Sequence, residues 1–256
     1  ADRGGDSDRD DALTMLRVPA ALRGTFAALG SPNYRLWFTG QLVSVVGSWM
    51  QTTAQGYLVY ELTRSSAYLG YVGFAAGLPS WAFMLFAGVV ADRVPRRAML
   101  LVTQSAMMLL ALLLSVLVAT GWVVPWHIVA IAFALGIANA FDAPARQSFV
   151  VELVEREDLT NAIALNSTMF NAGIIVGPAV AAVVYAALGP AWCFALNGVS
   201  FIAVIAALLR MKIAAPAARP SRRSALIEIR EGLGYTARHP VIRTLIANLG
   251  IVALFG

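Results

Sequence analysis

Apolar residues crowd this chain into runs of about twenty, the length at which an α-helix rising about 1.5 Å per residue crosses a hydrocarbon layer about 30 Å thick. Six such runs are read at Leu36–Tyr60, Ala67–Val90, Ala98–Thr120, Val123–Phe141, Ile163–Leu188 and Ala191–Leu209, and a seventh begins at Val241. The breaks between them are short. Gly30-Ser31-Pro32 precedes the first, with Ser31 suited to cap the helix and Pro32 to its first turn. Glu61–Ser66 holds Arg64 as its one basic residue, Gly121–Pro125 holds no charge, and Asp142–Thr160 reads as a charged, solvated segment. After the sixth run, Leu226, Ile229, Leu233 and Ala237 recur at helical spacing with Glu228 and Glu231 opposite, which predicts an amphipathic surface helix. The predicted organisation is a tail (1–33), a six-helix bundle (34–209), a basic linker (210–240) and the start of a seventh helix (241–256).

Polar residues inside the runs are few and placed. At about 100° per residue, Gln41, Ser44, Ser48, Gln51, Thr52 and Gln55 fall within one arc of the first helix about 100° wide. Three glutamine amides are hard to satisfy in lipid, so the stripe faces either a water-filled cavity or a neighbouring helix. The second run carries Gly70, Gly73 and Gly77 on one face, followed by Pro79. The fifth carries Gly173, Gly177 and Ala181 at four-residue spacing with Pro178 between. Both ridges predict close helix approach. The third run is nearly featureless apart from Gln104 and Ser105, and the sixth holds Asn197 and Ser200 as packing positions.

Composition sharpens the class. The chain has 256 residues, 59% hydrophobic and 13% charged, with mean hydropathy +0.72. A soluble domain of this length has too little interior for that much apolar surface, whereas a multi-pass membrane protein has lipid as its solvent. The net charge of +5 does not point to nucleic acid, because the arginines sit in short breaks between apolar runs. Placing those breaks alternately on two sides leaves Arg64 alone on one side and the rest of the 19 basic residues on the other. The positive-inside rule then puts the amino terminus in the cytoplasm and the protein in the cytoplasmic (inner) membrane. No secretory signal is visible, and the single Cys193 has no partner for an internal disulfide. His127, beside Trp126, reads as an interfacial residue. With only two His and no ligand cluster, neither an enzyme centre nor a metal or cofactor site is expected. The chain starts without Met and stops inside an apolar run, so a fragment or truncated product is expected.

The densest charge lies between the second and third runs, in GVVADRVPRR, residues 88–97. Gly88, Asp92, Arg93, Arg96 and Arg97 resemble the G-x-x-x-D-R-x-G-R-R loop of major facilitator superfamily transporters, with Pro95 where that family has its second glycine. The fifth run, NAGIIVGPAVAA, resembles the antiporter motif of the same superfamily through Gly173, Gly177 and Pro178, with Ala181 and Ala182 in place of a closing glycine pair. GQLVSVVGSWMQ, LVYELT, FDAPARQSFVVELV and ALNSTMFNAGIIVGPA extend the resemblance to the enterobactin-exporter-like and macrolide-efflux-like group.

That resemblance implies an all-α membrane fold, two inverted three-helix repeats forming the amino-terminal six-helix bundle, with a second bundle missing from this chain. It implies export of a small organic molecule by alternating access, with protons as the coupling partner. Helix 1 lines the cavity in the family, which makes Gln41, Ser44, Ser48, Gln51, Thr52 and Gln55 the expected substrate contacts. Asp92 is the expected latch, facing a helix amino terminus of the absent half. Asp142 and Arg146, one turn apart, are expected to pair with each other or with the 88–97 charges where helix 4 leaves the membrane. No Asp or Glu is expected well inside helices 1–6, so boundary carboxylates or the missing half would carry the proton. The competing reading is a half-length, non-transporting membrane protein that dimerises or regulates a partner; a reading frame that continues past Gly256 with five more spans separates the two.

Overall fold

The computed structural model describes residues 26–212 together with Thr244 and Asn248; the side chains of Met84, Leu85 and Asp92 lie outside the described set. The early tail, the linker helix and the rest of the seventh run likewise lie outside it. All regular structure among the described residues is helical: α1 (Pro32–Thr63), α2 (Ser66–Arg93), α3 (Arg96–Ala119), α4 (Pro125–Leu153), α5 (Leu159–Leu188) and α6 (Pro190–Arg210), with short 3-10 turns at Ala27–Gly30 and Arg156–Asp158. Four of them, α3 to α6, are long and apolar enough to cross a membrane. The polar stripe lowers the mean hydropathy of α1.

Helix ends are where charge misleads. The predicted loop 88–97 is mostly helix: α2 runs through Arg93, α3 starts at Arg96, and only Val94 and Pro95 lie between. GVVADR contains nothing that stops a helix. The stop comes from Pro95, which drives Val94 out of the helical region (φ −101°, ψ 142°). The predicted solvated segment from Asp142 is also corrected. α4 continues eleven residues past Asp142 to Leu153 with Pro144 inside it, leaving only residues 154–158 as the connection. The Ser31 hydroxyl donates to the Leu153 carbonyl at 2.7 Å, tying the start of α1 to the end of α4.

The chain divides into two compact units, and α1 and α4 contribute to both. The first unit holds α1 to Ala54, the last turn of α4, α5 and α6. Its seams are set by absent side chains. A methyl at Gly173 would sit 2.5 Å from Val45 Cγ1, and one at Gly177 would overlap Trp49 Cβ and lie 3.0 Å from the Met50 backbone nitrogen. The α5 ridge therefore lets the α1 backbone lie directly against it. Gly40 and Gly47 do the same for α6, at the Ala203 carbonyl and at Asn197 and Ser200. Below these crossings Trp37 stacks edge-on with Phe149 at 5.2 Å, and Tyr34 donates to the Ala162 carbonyl at 2.9 Å.

The second unit holds the end of α1, α2, α3 and most of α4. Gly136 of α4 is pressed against the Ala76 carbonyl and the Pro79 ring of α2. Gly70, Gly73 and Gly77, expected to form a packing ridge, meet no atom within 4 Å among the described residues. Alanine, not glycine, makes the α2 side of the α2–α4 crossing. Tyr68, Tyr71 and Trp126 form a ring cluster with centroids 5.5–6.3 Å apart, the kind of aromatic group that sits at a membrane–water boundary.

Candidate functional site

Two polar constellations interrupt this apolar structure: the first lies in the first unit apart from Gln55, and the second lies in the second unit. The first is the stripe of α1. Gln41, Ser44, Gln51 and Gln55 are buried, Ser48 is half-buried and only Thr52 is exposed. The stripe was open to water or to a neighbouring helix; for the four buried residues the observed surroundings are protein. Gln51 Oε1 accepts from Asn197 Nδ2 of α6 at 2.7 Å, and Ser200 donates its hydroxyl to the Asn197 carbonyl, also at 2.7 Å. Gly47 makes room for this pair, since a methyl there would come within 2.5 Å of Asn197 Oδ1. Gln55 Nε2 reaches the Ile128 carbonyl of α4 at 3.4 Å, a long bond. Thr52 satisfies itself on the Ser48 carbonyl. Gln41 Nε2 and the Trp37 indole nitrogen, one turn apart, are buried with no acceptor among the described residues.

A buried amide that loses its partner is left with the whole cost of its desolvation. Asn197→Ala should therefore cost about 1–3 kcal/mol, because Gln51 Oε1 is stranded, whereas replacing both residues by leucine should recover most of that. Reversible unfolding of the purified full-length protein measures both, and a silent Asn197→Ala would show that the seam carries no energy.

The second constellation surrounds Asp142, whose side chain is 0% exposed. Two residues of α3 converge on its Oδ1: Thr103 donates its hydroxyl at 2.8 Å and Gln104 its amide at 2.9 Å. Arg146, one turn on, lies 3.4 Å from Oδ2 with 18% of its side chain exposed. The sequence placed Asp142 at the end of a helix, and the structure places it mid-helix with three partners. In surroundings of low dielectric such a carboxylate is costly without them. Thr103 was not singled out from the sequence. Its signal is a polar Thr-Gln pair two turns inside an otherwise apolar run, facing Asp142 of α4.

The charged turn stands at the start of α3. Arg93, Arg96 and Arg97 are half-buried, and each engages a neighbour within the chain. The Asp92 side chain, the expected latch, lies outside the described set. Gly88 is helical with open space around it, so no close packing explains that glycine. The antiporter-like residues are brought together as a seam: Gly173, Gly177 and Ala181 are buried, the first two against α1, while Pro178 is half-buried beside them. Among the described residues no three His, Cys, Asp or Glu side chains form a metal-binding group.

Comparison with known proteins gives these features a setting. Residues 23–255 match a family described as transmembrane secretion effectors, of the major facilitator type. The staphyloferrin A transporter of Staphylococcus aureus is 27% identical over 176 residues, 68% of this chain and 44% of its own. Macrolide efflux protein A of Streptococcus pyogenes is 28% identical over 179 residues, 69% of this chain and 42% of its own. The multidrug efflux pump Tap of Mycolicibacterium fortuitum is 27% identical over 212 residues, 80% of this chain and 52% of its own. The chain thus spans about half the length of the curated relatives it matches.

Proposed function

The chain belongs to the transmembrane secretion effector family of the major facilitator superfamily, and from that premise we propose that the full-length protein exports a small organic molecule across the cytoplasmic membrane by alternating access coupled to proton entry. The observation that carries the reading is the family match over residues 23–255, reinforced by relatives named for the transport or efflux of a siderophore and of drugs. Six membrane spans, an amino terminus in the cytoplasm, a basic linker and a second bundle supplied elsewhere complete the proposed layout. The lopsided arginine distribution supports that orientation.

Within this reading the α1 stripe has two jobs. Gln51 and Gln55 hold α1 in place through α6 and α4, Gln41 and Ser44 are buried on the same stripe, and Ser48 and Thr52, the reachable members, face the substrate path. The turn bearing Gly88, Asp92, Arg93, Arg96 and Arg97 closes the cytoplasmic side. Asp142 is the proposed proton-responsive group, linked through Arg146 to that side and through Thr103 and Gln104 to α3. A carboxylate held by donors in a dry place releases them when protonated, because it then has a hydrogen to donate and less charge to attract them.

Cysteine labelling tests the stripe. In the full-length protein with other cysteines replaced, except for the buried Cys193, Ser48→Cys and Thr52→Cys should react with a water-soluble thiol reagent and be shielded by a transported macrolide. Gln51→Cys should stay inert. Unreactive cysteines at both 48 and 52 would take the substrate path away from α1.

A further inference from the structure

The α1 stripe is bonded at one end only. Towards its carboxyl end, Gln51 and Gln55 have partners on α6 and α4. Towards its amino end, Trp37 and Gln41 are each 1% exposed, and their nitrogens, Nε1 and Nε2, have no acceptor among the described residues. Ser44, next on the same arc, is 3% exposed and carries a hydroxyl. Positions 37, 41 and 44 stand at i, i+4 and i+7, so their side chains rise from one face of the helix. Buried N–H groups without a protein partner are rare, and the common resolution is an ordered water that joins two to four polar groups.

The surroundings decide which small acceptor fits. α1 carries no charge from Leu36 to Tyr60, α5 carries none, and α6 carries none before Arg210. The end of α4 that meets Trp37 through Phe149 carries Glu152, an acid. An anion would therefore be buried with no counter-charge, which is strongly unfavourable. Water is neutral; it accepts from the two nitrogens and donates onward to Gln41 Oε1 and Ser44 Oγ. At Gly40, the neighbouring position, α6 presents only the small residues Ala203 and Ala207. We propose that Trp37, Gln41 and Ser44 form an internal water-binding site, reached along the stripe from half-buried Ser48. The two ends of the stripe then hold α1 in different ways. Gln51 is clamped to α6 by a direct bond, whereas Gln41 bonds to a water that exchanges and follows it, which leaves the amino end of α1 the one free to tilt.

Proton-detected solid-state NMR of the full-length protein in bilayers tests the site by magnetisation transfer from water. The Trp37 indole N–H is identified by its loss in Trp37→Phe, and the Gln41 amide by its loss in Gln41→Leu. Both should receive magnetisation from water, and neither resonance should move when chloride is replaced by gluconate. In reversible unfolding, Gln41→Leu should lower the folding equilibrium constant about tenfold, because Trp37 Nε1 is stranded when the water loses its other partners. A missing water contact at either nitrogen overturns the site: the indole N–H then rests on the Phe149 ring, or the Gln41 amide turns over to meet it. A chloride-dependent shift overturns it too, by making the occupant an anion. So does a stability that holds or rises in Gln41→Leu, the result of removing a dry, unpaired amide. No readout involves export, so failure of the site and failure of the transport reading are separable.

Discussion

Gly177→Ala is expected to destabilise the protein by about 2 kcal/mol although it adds a single methyl group. In an open helix the same change is favourable by about 1 kcal/mol, because alanine has less backbone freedom to lose. Here the new carbon would occupy the place of Trp49 Cβ and press on the backbone of Trp49 and Met50. Backbone cannot rotate away as a side-chain tip can, so α1 must shift as a body along the seam that Gly173 and Ala181 continue. Leucine at 177 should prevent α1 from docking altogether. The comparison is Gly77→Ala in α2, where nothing lies within 4 Å of the added carbon and the change should be neutral or mildly stabilising. Reversible unfolding of the full-length protein in mixed detergent reads both. Equal effects at 177 and 77 would mean that the α5 ridge is not the α1 seat.

That pair of glycines also separates what sequence could reveal from what it could not. Both ridges carry small residues at helical spacing, and spacing alone predicts close approach for each. Only the ridge in α5 meets a neighbour here, because Trp49 and Val45 of α1 present side chains that need the room, and no local pattern announces that pairing. The helices themselves were legible, since a run of about twenty apolar residues has few other fates. Their ends were not. Charged residues at 88–93 and 142–153 suggest exposed loops, yet aspartate and arginine tolerate a helix well, and only Pro95 enforces a break. The direction of the α1 stripe was half legible: three glutamines on one face demand partners, and Asn197 and Ser200 on the sixth run were the available ones. Matching them required knowing that α1 lies beside α6. The partners of Asp142 were hidden for the same reason, since a Thr-Gln pair gains meaning only once α3 and α4 are set side by side.

Asp142 supports the other large prediction, in which stability and transport should part company. Asp142→Ala removes the acceptor for Thr103 and Gln104 and the counter-charge of Arg146 at once. Breaking a buried pair by deleting one member costs about 3–5 kcal/mol. The lower end applies here, because Arg146 reaches partly to solvent and Thr103 has the Leu100 carbonyl at 3.2 Å as a second acceptor. Gln104 has no such refuge: its Oε1 is already buried without a partner. Asp142→Asn is the more informative change. The amide keeps the volume and the oxygen that accepts from Thr103 and Gln104 but not the charge facing Arg146, so it should cost about 1.5–3 kcal/mol, the worth of an interaction with a charged group. It cannot exchange a proton, however, and on the proposed reading gradient-driven transport by the full-length protein in proteoliposomes, with a macrolide as the trial substrate, should fall at least about tenfold, equivalent to about 1.4 kcal/mol of activation free energy. Asp142→Glu, which restores a titratable group on a longer arm, should recover part of the gradient-driven rate. If Asp142→Asn folds and transports at the rate of the unmodified protein, the buried carboxylate is a structural clasp between α3 and α4, and proton coupling does not run through it.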